Sequence, residues 1–216
     1  MSRILYLHGF ASSPGSSKAR FFHQCLESAG GHVEILDLAE GGFEHLTITG
    51  QLTVIERAAH GETVSLIGSS MGGYLAALYA HRHPEVSRLV LLAPAFGFAR
   101  RWAERLGAEA IAEWRRTGAI QVFHYAEKRQ CQLAYDLLED GACYEDYPDF
   151  RQPALIFHGA HDDVVPADYS REFAAAHPKA RLEVLDSGHE LLNVLDYMAP
   201  KVTAFLLTPD SSLTSL

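Results

Sequence analysis

Cysteine is scarce in this 216-residue chain. Cys25, Cys131 and Cys143 are an odd number, with no pair at C-x-x-C spacing. That excludes a disulfide-built scaffold and reads as free thiols in a reducing compartment. Long apolar runs are missing as well, since nothing approaches the ~18 residues that a membrane span needs. Before His8-Gly9 the only apolar run is residues 4–7, too short for a signal-peptide core. From these absences a cytoplasmic protein with no membrane span is expected. Positive charge is in deficit, with 18 Lys and Arg against 27 Asp and Glu and a net charge of −9. An acidic chain repels phosphate backbones, so nucleic acid is not an expected partner. Repeats and low-complexity segments are also lacking, which excludes a solenoid or fibrous array.

What is present is an ordinary globular composition, 48% apolar and 21% charged. A chain of this length buries roughly 70% of its unfolded surface, enough for a core without staples. A single domain over residues 1–216 is expected. Short apolar runs at 4–7, 33–38, 64–67, 89–92, 154–157 and 182–185 alternate with helical patterns at 17–30, 48–60, 71–83, 169–177 and 191–206. Nearly unbroken apolar runs suit parallel strands buried on both faces. The alternation predicts an α/β fold: a mainly parallel six-stranded sheet flanked by helices. Between Pro94 and Pro153 no strand is predicted; helices over 100–117 and 127–138 suggest a helical cap insertion at about 95–152. The polar end, 211–216, reads as frayed.

The chemistry begins at Gly68-Ser69-Ser70-Met71-Gly72, a G-x-S-x-G sequence between a strand and a helix. This setting lifts Ser70 off the sheet on a tight turn, at a helix N-terminus that favours developing negative charge. Ser69 lacks the flanking glycines. A serine hydroxyl needs a base and an orienting acid, which follow it in the order Ser, Asp or Glu, His. His189 in Asp186-Ser187-Gly188-His189-Glu190 is the candidate base, just past the last predicted strand. Asp162 in His158-Gly159-Ala160-His161-Asp162-Asp163 is the candidate acid, with Asp163 its rival. The alternative position, after the fourth strand, reads Ala93-Pro94-Ala95-Phe96 and holds no carboxylate. His158 and His161 lack a third ligand at metal-site spacing, so no catalytic metal is expected, and His158 reads as packing near the site. Two N–H donors would hold an oxyanion: that of Met71, and that of Phe10 in the loop opened by His8-Gly9.

Together, His8-Gly9-Phe10, Gly68 to Gly72, Asp162 with Val165-Pro166, and Ser187-Gly188-His189 resemble the α/β-hydrolase family over nearly the whole chain. Within it the chain is similar to small bacterial YqiA-like esterases through His8-Gly9-Phe10, Ser12-Ser13-Pro14 and Ser17-Lys18. It is also similar to ABHD10-like acyl-protein thioesterases through the same loop, Gly68 to Gly73, and Trp114-Arg115-Arg116-Thr117-Gly118. The resemblance implies a minimal version of the fold, without the family's first two strands. It implies a Ser70–His189–Asp162 triad acting on ester or thioester bonds of small acyl substrates, with no cofactor. Peptide hydrolysis on the same triad and a catalytically silent ligand-binding fold are the alternatives.

Residues 100–129 hold seven basic side chains against four acidic ones, either a rim for an anionic substrate or a helix face laced with pairs such as Arg100–Glu104. Phe96, Phe98, Trp102, Trp114, Phe123 and Tyr125 are equally open to two roles, an acyl pocket or the cap's own core.

Overall fold

The structure is a computed structural model that describes residues 3–40 and 42–208; the end over 211–216 lies outside them. The strands are β1 (Arg3–Leu7), β2 (His32–Ile35), β3 (Ser65–Ser69), β4 (Leu89–Leu92), β5 (Ala119–His124), β6 (Arg129–Ala134), β7 (Ala154–Gly159) and β8 (Ala180–Leu185). The helices are α1 (Ser17–Ser28), α2 (Ile48–Ala59), α3 (Met71–Arg82), α4 (Phe98–Leu106), α5 (Ala108–Thr117), α6 (Asp136–Gly141), α7 (Asp168–Ala176) and α8 (Leu195–Leu207).

Six strands pair in parallel in the order β2-β1-β3-β4-β7-β8. Side chains alternate across this sheet. Leu5, Leu7, Leu66, Leu89, Leu91 and Ile156 face the layer containing α2, α3 and α7. Ile4, Tyr6, Ile67, Val90, Leu92 and Phe157 face α1 and α8. Burial on both faces accounts for the unbroken apolar runs. α3 is buried from Met71 through Ala80, because the inserted segment covers the side that the sheet does not.

From β1 the chain winds outward to β2, then crosses back to β3 on β1's other side. The strand order therefore reverses between β1 and β3, and in such sheets the carboxyl ends beside that reversal are where ligands bind. Leu7 pairs with Gly68 and Ser69 with Leu92, so the loops that follow β1, β3 and β4 leave from one rim.

The insertion departs from expectation. The 100–117 helix is broken at Gly107, whose φ of 82° ends α4 and starts α5. In place of a helix over 127–138 stands the antiparallel hairpin β5–β6, followed by the short α6. The β6 sequence Arg-Gln-Cys-Gln-Leu-Ala is built of residues that favour helices, and its turn carries Lys128 at φ 54° where Gly or Asn would signal a hairpin. Tertiary packing decides the outcome, because Cys131 and Leu133 point into the core while Gln130 and Gln132 face out.

Candidate active site

Ser70 occupies the junction of β3 and α3 with φ 53° and ψ −117°. Four backbone bonds hold it there. Its N–H donates to Leu92 O at 2.8 Å, and its carbonyl accepts from Gly73, Ala95 and Tyr74 at 2.9, 3.0 and 3.1 Å. The flanking glycines are steric necessities. A Cβ on Gly68 would lie 2.2 Å from Gly72 O, and one on Gly72 would lie 2.1 Å from Leu7 O. The helix therefore crosses directly over β1 and β3, which leaves Ser70 at the rim.

His189 reaches that rim from the loop after β8. Its Nε2 lies 3.0 Å from Ser70 Oγ, and its Nδ1 lies 2.7 Å from Asp162 Oδ2. An acceptor carboxylate at Nδ1 sets the tautomer: Nδ1–H donates to Asp162, and Nε2 is left to accept from the hydroxyl. Asp162, not the exposed Asp163, is the carboxylate that meets His189. The loops carrying Asp162 and His189 are pressed together, since a Cβ on Gly159 would lie 2.4 Å from both Ser187 O and Gly188 O. Backbone bonds from Ala160 N to Leu185 O (2.7 Å) and His161 N to Ser187 O (3.0 Å) clamp them. Ser187 Oγ donates to Asn193 Oδ1 at 2.5 Å, and Asn193 Nδ2 donates to Asp186 O at 2.9 Å, bracing the loop that carries His189.

The Asp162 side chain is fully buried. Burial pushes its carboxyl up, but hydrogen bonds from His158, His189 and the Val165 N–H outweigh this and hold it well below the usual carboxylate range. Oδ1 accepts from the N–H groups of Val164 (2.9 Å) and Val165 (2.7 Å). His158 Nε2 lies 3.1 Å from Oδ2 and 2.8 Å from Val165 O, both acceptors, so it carries the proton, while Nδ1 faces Ser170 Oγ at 2.8 Å. The sequence reading placed His158 near the site. It missed that His158, backed by Ser170, holds the Asp162 carboxylate, because a contact between a strand and α7 leaves no local pattern. His161 is used elsewhere, pairing with Asp186 at 2.9 Å on the surface.

The loop after β1 closes the other side. A Cβ on Gly9 would lie 3.4 Å from both Ser70 Cβ and Ser69 O, so the Gly9–Phe10 backbone runs beside the serine. Buried His8 donates from Nδ1 to Gly9 O at 2.9 Å and accepts from Leu38 N–H at Nε2 at 3.3 Å. In a trans peptide the carbonyl and the next N–H point opposite ways, so fixing Gly9 O also fixes the direction of the Phe10 N–H. Met71 is the first residue of α3, where an N–H has no acceptor within the helix.

The cap's aromatic residues form mainly a core. The Phe10 ring lies 5.4 Å from Phe43, 6.5 Å from Phe98 and 5.2 Å from Trp102, and Trp102 lies 5.5 Å from the fully buried Trp114. Phe96 stacks on Phe173 at 4.4 Å. Phe123 and Tyr125 stay exposed on the hairpin, which is tied to the loop after β1 by Tyr125 N–H to Ala11 O at 2.9 Å. The basic excess is largely paired: Arg100 with Glu104 and Asp146, Arg115 with Glu139, Arg116 with Glu113, and Arg129 with Glu127. Arg101 donates to Val164 O at 2.6 Å, linking α4 to the Asp162 loop. Cys25, Cys131 and Cys143 are free thiols, and among the described residues no helix is long and apolar enough to cross a membrane.

Similar architecture recurs in solved structures. One from Agrobacterium vitis S4 superposes with a TM-score of 0.82 over 95% of this chain and 88% of that one, at 24% identity. Alpha/beta hydrolase domain-containing protein 10 from mouse gives 0.80 over 94% and 88%, at 18% identity. The monoacylglycerol lipase of Paleococcus ferrophilus gives 0.75 over 94% and 93%, at 16% identity. Comparison with curated proteins finds no match. The chain thus has the α/β-hydrolase fold, and residues 3–206 match the YqiA-like family described as "Uncharacterised protein family (UPF0227)", to which it belongs.

Proposed function

We propose that this protein is a serine hydrolase that cleaves carboxylic ester or thioester bonds of small acyl substrates. The observation that carries the reading is the hydroxyl–imidazole–carboxylate line, with 3.0 Å from Ser70 Oγ to His189 Nε2 and 2.7 Å from Nδ1 to Asp162. Ser70 Oγ attacks the acyl carbonyl carbon while His189 Nε2 takes its proton. Asp162 holds the ring and stabilises the imidazolium. The N–H groups of Phe10 and Met71 receive the oxyanion, whose charge also benefits from the N-terminus of α3. His189 then protonates the departing alkoxide or thiolate, leaving an acyl-enzyme on Ser70. Water deprotonated by His189 attacks that ester, and the tetrahedral adduct collapses to carboxylate and free serine. No cofactor enters this sequence of steps.

The names of the solved neighbours, including Est1E from Butyrivibrio proteoclasticus and the Paleococcus ferrophilus monoacylglycerol lipase, favour ester hydrolysis among the activities this fold hosts. Free thiols, with Cys143 exposed, favour a reducing compartment, and we assign the protein to the cytoplasm as one domain carrying the 95–152 insertion. The test is hydrolysis of 4-nitrophenyl butyrate together with labelling by a fluorophosphonate. The wild type should turn over and label at Ser70. Ser70→Ala should lose at least about a thousandfold in kcat and all labelling. Full activity in Ser70→Ala would remove the assignment, and an intact fold that neither labels nor turns over would make it a silent binding fold.

A further inference from the structure

Lys18 is the second residue of α1, on the same helix face as Phe22 and Leu26, both fully buried. It is itself only 8% exposed. Three features disfavour a cation there. Its stem is taken out of water, and only the ammonium end keeps contact with solvent. It stands in the first turn of a helix, where the dipole repels positive charge and no acidic residue offsets it. Among the described residues its ammonium has neither a hydrogen bond nor an ion pair. An apolar side chain would fill the position at no such cost.

The surroundings place this cation beside the proposed chemistry. α1 follows β1 through the loop that passes Ser70 at Gly9, and it packs against α8, the helix that follows the His189 loop. Burial lowers the Lys18 pKa, while the charges of Glu190 and Asp162, on either side of His189, pull it back up. Glu190 is exposed, and Asp162 already accepts from His158, His189, Val164 and Val165, so neither carboxylate uses the lysine's donors. The basic side chains of the cap do not offer the same feature: half-buried Arg101 donates to Val164 O, and Arg100, Arg115, Arg116 and Arg129 are exposed and paired with carboxylates.

We propose that Lys18 is a specificity-determining residue. Its ammonium, with the N-terminus of α1, receives an anionic carboxylate or phosphate group carried by the substrate near the scissile carbonyl. This rests on the hydrolase reading and narrows it to charged esters or thioesters. An arriving anion would replace solvent at the ammonium with a charged hydrogen-bond partner and supply the charge that the helix end favours.

The experiment uses matched ester pairs. On the acyl side, 4-nitrophenyl butyrate is compared with mono-4-nitrophenyl succinate; on the leaving-group side, phenyl acetate is compared with 4-acetoxybenzoate. Lys18→Met should lower kcat/KM for the charged member of at least one pair about tenfold or more beyond its effect on the neutral member. Lys18→Arg should recover most of that loss. Which pair responds tells whether the anion rides on the acyl or the departing half. Parallel losses on all four esters, or no loss, would overturn the proposal and make Lys18 a structural residue. A binding measurement separates this from failure of the hydrolase reading. Calorimetry of mono-4-nitrophenyl succinate on Ser70→Ala should show binding that the added Lys18→Met weakens about tenfold. If no ester is hydrolysed by the wild type, the hydrolase reading falls, and the calorimetric comparison alone decides the role of Lys18: equal binding, or none, by the two variants rejects it.

Discussion

Ser70 is a non-glycine residue at φ 53°, in a region that typically costs about 1–3 kcal/mol, and its four backbone bonds are what retain it. Asp162 is the opposite case, a buried charge surrounded by donors. Because its folded pKa lies below the unfolded value, the unfolded chain takes up a proton first as acid is added. The stabilisation is therefore present in full above the unfolded carboxyl value of about 4 and fades as pH falls toward the lower folded value. In Asp162→Asn the amide NH2 can donate to His189 Nδ1, which forces the proton onto Nε2 and disables the base. A fall in kcat of about 10⁴ is expected on 4-nitrophenyl butyrate. The same variant should be about 1–3 kcal/mol less stable near pH 7, the range for losing a charged hydrogen-bond partner. In urea unfolding at stepped pH, that gap from wild type should narrow between pH 5 and pH 3. A gap that stays constant would mean the carboxylate's charge contributes nothing.

The β3–α3 junction is set by two missing side chains. In Gly72→Ala the new methyl would meet Leu7 O at 2.1 Å, in the interior strand β1, so the backbone and not a flexible side chain must yield. We expect a loss of about 3 kcal/mol or more, at the upper end of overpacking effects. For a chain of this size that corresponds to a Tm lowered by roughly 6–12 °C by calorimetry. A near-wild-type Tm would mean that the crossing is looser than its geometry. This junction was legible in the sequence, because its glycines flank the serine at fixed offsets and an apolar run leads in. The same holds for the sheet: residues 4–7, 89–92 and 154–157 are apolar throughout because both faces are covered. The hairpin at 119–134 was not legible. Its alternation at Cys131 and Leu133 spans few residues, helix-favouring Gln and Arg mask it, and no turn glycine marks it. Donors brought from afar, such as Ser170 to His158 and Leu38 N–H to His8, were beyond reading for the same reason: each joins residues 12 and 30 positions apart through the fold alone.

At the scale of the molecule, the question is whether the inserted segment is an appendage or part of the same cooperative unit. The packing argues for the second. Phe98, Trp114, Leu133 and Leu137 lie in one continuous buried cluster with Leu5, Leu66, Tyr74 and Leu91 of the sheet and α3. Phe10, in the loop beside Ser70, is in ring contact with Phe98 and Trp102, so the insertion is built onto the site itself. Polar ties run the same way: Tyr74 Oη donates to Glu145 O at 2.8 Å, Thr49 N–H to Asp140 Oδ2 at 2.8 Å, and Arg101 to Val164 O. The chain offers a probe of this, because both of its tryptophans, Trp102 and Trp114, lie in the insertion. Tryptophan fluorescence therefore reports the insertion, while far-ultraviolet circular dichroism is dominated by the sheet and its flanking helices. In urea, the two signals should trace one transition with the same midpoint and slope. A fluorescence transition that precedes the dichroism would mean that the insertion opens on its own. The loop carrying the Phe10 N–H would then be held by β1 and His8 alone, and fluorophosphonate labelling should fade with the dichroism. If instead the aromatic cluster is what holds that loop, labelling and fluorescence should fall together with everything else, because the site and its cover share one core.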